Sequence, residues 1–143
     1  MPRLQLDMPS HYFYSTTLPV RISDINYGGH LGNDAVLALA HEARVRFLNH
    51  YHYNELDIEG LGLIVADSAI VYKAEAFYGD AVQIEVTVTD FNRYGCDFYY
   101  LLSNKDSAVE IAHAKTGVVF FDYSARKVVS MPASFKACFI KEL

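Results

Sequence analysis

The chain has no tryptophan and only two cysteines, Cys96 and Cys138, among its 143 residues. Two isolated cysteines offer neither a disulfide framework nor a thiolate metal cluster, so they read as free thiols in a reducing compartment. Positive charge is also scarce: 12 Lys and Arg stand against 17 Asp and Glu, with no basic run. A nucleic-acid partner demands a dense positive face, so that class is excluded. No apolar run approaches the length that spans a bilayer. The stretch Met1 to Pro19 is polar, with Asp7 and His11 among several tyrosines, and lacks the apolar segment of a secretory signal. The histidines His41, His50 and His52 have no metal-like partner set. These absences predict a soluble cytoplasmic protein with no membrane partner, no metal and no cofactor.

What the chain does have is apolar mass. The hydrophobic fraction is 52% and charged residues make up 20%. The length fits a single domain, 1–143, large enough to bury a core without disulfides. That composition is apolar for a lone small globule, and it predicts surface covered by a second subunit.

The hydrophobic period changes along the chain. Leu18 to Ser23 alternates as a half-buried strand does. Ala35 to His50 has no Gly or Pro, and Val36, Ala40, Ala43 and Phe47 fall on one face at helical spacing. Leu37, Ala38, Leu39 and Leu48 widen that face, which predicts a long helix buried around most of its first half, with Asn33 or Asp34 as its N-cap. Strand patterns then follow at Leu63 to Phe77, Asp80 to Asn92, Cys96 to Ser103 and Ala108 to Tyr123. Val82, Ile84, Val86 and Val88 alternate with Gln83, Glu85, Thr87 and Thr89. Short turns between consecutive strands predict an antiparallel meander. Pro132 to Leu143 reads as a short terminal helix or tail. One strand, one helix apolar over much of its girth, and four strands in a row predict an α+β hot-dog fold, a curved antiparallel sheet wrapped around one long central helix. A helix lying on a flat sheet is the competing arrangement.

Chemistry concentrates in Asp24 to Asp34, where three Gly and four Asp or Asn occur in eleven residues. Gly28, Gly29 and Gly32 let a ligand approach the backbone. The helix start beyond them offers unpaired amide hydrogens and a positive dipole end, suited to a carbonyl oxygen that gains charge in a transition state. Asp24, Asn26, His30 and Asn33 place acid, amide and imidazole groups beside that point. The competing reading is a helix-entry loop whose Asp and Asn side chains satisfy their own backbone.

The run from Val20 to Asp34, continuing into His41-Glu42-Ala43-Arg44, resembles the signature of the 4-hydroxybenzoyl-CoA thioesterase-like family. That signature is a strand, then Asp-x-Asp-x-x-Gly-His-x-Asn-Asn, then a helix with Glu-x-Ala-Arg. Tyr72 to Asp80, Ala112 to Asp122 and Met131-Pro132 resemble later family segments in the right order. The resemblance implies a hot-dog homodimer or homotetramer that hydrolyses acyl-CoA or acyl-carrier-protein thioesters at a subunit interface.

Asn26 departs from the family pattern, which has the catalytic carboxylate there. An amide is neither nucleophile nor general base. The stretch is similar in this respect to the Asp-x-Asn…His pattern of plant acyl-carrier-protein thioesterases. By that resemblance Asn26 binds thioester or water, His30 orients or moves protons, and Asp24 or Glu42 is the base. Tyr27, Gly28, Gly29 and Asn33 are then expected to bind substrate, with Gly29 to Asn33 as the oxyanion hole. The alternative is that Asp67 or Ser68, on a strand expected to face the helix, completes the site from the neighbouring subunit. Glu42 also stands in the favourable order for a structural pair with Arg46. Cys96, with no basic neighbour, reads as a buried thiol. Tyr94, Phe98, Tyr99, Tyr100, Phe120 and Phe121 read as core or as an acyl tunnel. Arg93, Arg126 and Lys127 read as solvated turn charges or as contacts to CoA phosphates. Two other functions compete: a hydratase or dehydratase of the same fold, whose Gly-Asp-x-Asn-Pro-x-His signature is not matched, and an acyl-thioester-binding module without turnover.

Overall fold

The computed structural model describes residues 3–140. Its elements follow in the order β1 (Tyr14–Pro19), α1 (Asn33–His50), β2 (Gly62–Tyr72), β3 (Ala81–Thr89), β4 (Gly95–Asn104), β5 (Glu110–Asp122), β6 (Lys127–Val128) and α2 (Ala133–Ile140). The strands form one antiparallel sheet in the order β1-β3-β4-β5-β2, with the short β6 added against β5.

Alternation drives the long strands. Val82, Ile84, Val86 and Val88 of β3 are all buried on the inner face, as are Phe98, Tyr100 and Leu102 of β4. Ala112, Ala114, Thr116, Val118 and Phe120 of β5 continue that face. One extra residue in β2, Ala66 between Val65 and Asp67, and one in β5, Ile111 opposite the Leu102–Ser103 step of β4, break the register and bend the sheet. The curved sheet holds α1 on its concave side, where Ala35, Val36, Leu39, Ala40, Ala43, Phe47 and Leu48 are buried. This is the hot-dog arrangement. Phe135 and Phe139 of α2 close the core, with Phe139 stacked on Phe47 at 5.5 Å between ring centroids.

Several boundaries differ from the sequence-based expectation. β1 begins at Tyr14 instead of Leu18, and Ile22–Asp24 is a 3-10 turn instead of strand. The turn forms because the Asp24 carboxylate accepts the Arg21 amide at 2.8 Å. β2 stops at Tyr72, short of Phe77. The N-cap of α1 is Gly32, with no side-chain cap bond, so neither Asn33 nor Asp34 fills that role. The helix is not covered around its girth: Leu37 and Ala38 are exposed, because within one protomer the sheet meets only one side.

The polar N-terminal segment runs outside the sheet. Leu4 to Asp7 lies beside Val71, Lys73 and His113 on its outer face. Phe13 donates its amide to the Val86 carbonyl at 3.0 Å and so joins the segment to β3. Among the described residues no helix is long and apolar enough to cross a membrane.

Candidate active site

The bend before α1 is closed mainly by Asn26. Its Oδ1 accepts the Gly28 amide at 2.9 Å and, more weakly, the His30 amide at 3.5 Å. The Asn26 amide donates to the His30 carbonyl at 2.9 Å, and the Gly29 amide donates to the Asn26 carbonyl at 3.1 Å. Gly29 has φ +83°, a left-handed conformation that glycine adopts without strain. Leu31 donates to the Ala76 carbonyl at 2.7 Å and Gly32 to the Asp24 carbonyl at 2.9 Å. The amides from Gly28 to Gly32 are therefore spent inside the fold. The amides of Asn33 and Asp34, at the positive end of α1, have no partner among the described residues. Of the backbone expected over Gly29 to Asn33 to hold an oxyanion, only the Asn33 amide is without a partner among the described residues, with the Asp34 amide beyond that range.

His30 stands at the mouth of this helix end, about one-third exposed. Its Nδ1 lies 3.3 Å from the Leu31 carbonyl, which only accepts, so the neutral ring carries its proton there. That leaves the Nε2 lone pair free, 3.8 Å from Glu75 Oε1. A side chain at position 28 would crowd the ring: a Cβ there would sit 3.3 Å from both His30 Nε2 and Asn26 Oδ1. A cleft of about 450 Å³ opens between the bend and the end of β2, lined by Asn26, His30, Asn33, Tyr72, Lys73 and Glu75 among others. The Tyr72 hydroxyl donates to the Asn33 carbonyl at 3.1 Å and fixes the cleft's far wall to the helix. Sequence reasoning took Tyr72 to Glu75 as strand and missed its place in the cleft; the one signal was the break at Tyr78-Gly79-Asp80 that follows it.

The other expected site residues lie apart. Asp24 is buried, and its carboxylate faces the Arg21 amide and guanidinium, so it caps a turn and does not line the cleft. Glu42 pairs with Arg46 at 3.0 Å, as its spacing suggested. Arg46 also donates to Thr16 at 2.9 Å, which draws that pair toward β1 and a separate cavity of about 190 Å³. Asp67 faces away from the helix, contrary to expectation. Its Oδ1 accepts Lys115 Nζ at 2.8 Å and the Gly117 amide at 3.0 Å on the sheet's outer face. The hydrogen bond from Lys115 holds its carboxyl below the ordinary range. Ser68 pairs in register with the buried Thr116, so it lies on the inner face, exposed at the open edge of β2. Tyr27 projects fully into solvent.

Phe98, Tyr100 and Phe120 are completely buried core residues. Cys96 is buried too, and burial pushes its thiol up, away from nucleophilic use. Among the described residues no three His, Cys, Asp or Glu side chains converge as a metal would require.

The comparisons with known proteins agree with this architecture. A 1,4-dihydroxy-2-naphthoyl-CoA thioesterase from Synechocystis superposes with a TM-score of 0.81 at 22% identity, over 89% of this chain and 95% of that one. A hypothetical protein from Aquifex aeolicus gives 0.79 at 20% identity, over 88% and 98%. A DHNA-CoA thioesterase from Staphylococcus aureus gives 0.79 at 16% identity, over 90% and 89%. At such identities the likeness carries the fold alone. No curated protein matches the chain. A family model, by contrast, matches residues 20–139, from the end of β1 through α2, and on that match the chain belongs to the thioesterase-like superfamily.

Proposed function

We propose that the protein hydrolyses acyl-CoA thioesters to free acid and thiol, without metal or cofactor, as a homodimer. The observation that carries this reading is the pair of unpartnered amides at Asn33 and Asp34, at a helix end where Asn33 lines the cleft beside His30, in a chain of this superfamily. A thioester carbonyl seated there gains two donors and the helix dipole as its oxygen becomes negative, a stabilisation that mutagenesis elsewhere puts at about 3 kcal/mol per donor. His30 Nε2 faces the same space and binds the attacking water or the leaving sulfur. Asn26 acts indirectly, by closing the loop that holds His30. CoA is favoured as the carrier because two of the structural relatives are named for a CoA thioester; an acyl carrier protein is the alternative.

The dimer rests on the free edge of β2. An eleven-residue edge strand leaves a row of backbone groups unpaired, and Val65 and Tyr72 are exposed beside it. The edge is about 36 Å long and is continuous with the open side of α1. A second copy of β2, related by a two-fold axis, satisfies that edge.

Incubation with a panel of aliphatic and aromatic acyl-CoAs, with detection of free thiol, tests the proposal. Thiol release is expected, falling about ten-fold or more in His30→Ala. Tight binding without release would instead identify a binding module, a reading that the missing carboxylate at Asn26 favours. Interconversion of enoyl and hydroxyacyl thioesters would identify a hydratase.

A further inference from the structure

The open side of α1 carries an acid–base pair outside the cleft. His41 Nε2 lies 2.7 Å from Glu55 Oε1. A carboxylate only accepts, so Nε2 carries the proton and the Nδ1 lone pair is left free on a ring that is 58% exposed. The other oxygen of Glu55 accepts Arg44 Nε at 3.1 Å. Arg44 is itself buried, donating to the Tyr100 hydroxyl at 3.0 Å, and Tyr100 meets Thr116 at 2.8 Å. Glu55 is thus anchored to the core on one side and orients an exposed imidazole on the other. A structural ion pair needs only Arg44 and Glu55; the imidazole added at the solvent end is what a proton-transfer group has.

Asn33, Leu37 and His41 recur at every fourth position and share one stripe of the helix. The stripe faces the β2 edge, since Tyr72 reaches Asn33 and Glu55, from the connection into β2, reaches His41. Glu42 and Arg46 lean the other way, toward β1. Eight residues separate Asn33 from His41, about 12 Å along the axis, so His41 cannot serve the amides of its own protomer. A two-fold contact is self-complementary: if i meets j, then j meets i. Leu37, the exposed apolar residue at the midpoint, is the natural centre of such a contact. Two antiparallel copies of α1 crossing at Leu37 bring Asn33 of each opposite His41 of the other.

We propose that His41, oriented by Glu55, is the general base of the partner subunit's site and replaces the carboxylate that Asn26 lacks. The proposal rests on the thioesterase reading above. Nδ1 of His41 takes a proton from water as the water oxygen bonds to the carbonyl carbon, and the oxyanion sits on the Asn33 and Asp34 amides across the interface. On collapse the carbon–sulfur bond breaks and the imidazolium returns the proton to the thiolate, giving acid and thiol. His41 is then a catalytic residue and Glu55 a positioning residue.

Subunit mixing tests this. His41→Gln is expected to lower kcat about 100-fold or more with KM and melting temperature nearly unchanged, because the side chain is largely exposed. When His41→Gln and His30→Ala subunits are exchanged, each mixed dimer concentrates both defects in one site and leaves the other intact. About one quarter of wild-type activity should return, from half the dimers with one working site each. Mixed dimers, verified by mass, that recover no activity would overturn the proposal, as would an unchanged kcat in His41→Gln; both leave the thioesterase reading standing. A wild-type protein that releases no thiol removes that reading and this proposal together.

Discussion

At the scale of the residue, Asn26 decides the shape of the bend. Its side-chain oxygen holds two amides that solvent would otherwise take up, and a carboxylate accepts the same bonds. Asn26→Asp should therefore stay within about 0.5 kcal/mol of wild type, whereas Asn26→Ala should lose about 1 kcal/mol and lower thiol release about ten-fold or more as His30 drifts. Urea denaturation of the two variants checks the first part, and an alanine variant as stable as wild type would remove Asn26's structural role. The sequence made the bend legible, because glycines and Asx residues so dense before a helix have few other uses. It did not reveal what Asp24 and Asp67 do. Asp24 is turned by its bond to Arg21, three residues away. Asp67 follows an extra residue in β2, and a one-residue slip in a strand exchanges its two faces. The Arg44–Glu55 pair joins the helix to a loop eleven residues on, a separation that no helical or strand period encodes.

At the scale of the element, the sheet was readable wherever one face is buried and the other is not. β3 shows this in its strict valine and isoleucine alternation. β1 was placed late because its first residues, Tyr14 to Thr17, are only partly buried and carry no clean period; pairing with β3 from Tyr14↔Val86 to Pro19↔Ala81 defines them instead. The girth of α1 misled for a related reason. Apolar residues at Leu37 and Ala38 are the same whether a sheet or a second helix covers them, and one protomer's sheet covers only the opposite side. Close approach between strands is equally silent in the sequence. A Cβ on Gly95 would lie 1.9 Å from the Val118 carbonyl oxygen, a backbone atom that cannot rotate aside. Gly95→Ala must therefore part the start of β4 from the far end of β5, at a cost of about 1–3 kcal/mol. Thermal melting should register it, and a melting temperature equal to wild type would show that the strands separate freely there.

At the scale of the molecule, two surfaces bear on how the fold is completed, and each has a measurable signature. On the outer face the N-terminal segment places Tyr12 where burial, then Glu85 and Glu110, push its hydroxyl up to about 12. An unfolded tyrosine loses its proton near pH 10, so between about pH 10 and 12 the folded chain binds more protons than the unfolded one. Stability from this group is complete below that window and is lost as pH rises through it. Tyr12→Phe should flatten the fall in melting temperature across the window, and an unaltered slope would place the loss elsewhere. The second surface is the β2 edge with the open side of α1, where Leu37 and Val65 are exposed though apolar. A charge at Val65 costs a lone protomer little, because water already reaches that side chain. In the two-fold contact the same charge is buried against an apolar face of the other subunit, where desolvation opposes association. Sedimentation equilibrium at micromolar concentration should therefore show wild type as a dimer or larger and Val65→Lys as a folded monomer. Thiol release should disappear with the dimer, since the base is supplied from the other subunit; a monomeric wild type that still turns over would mean that each protomer holds a complete site.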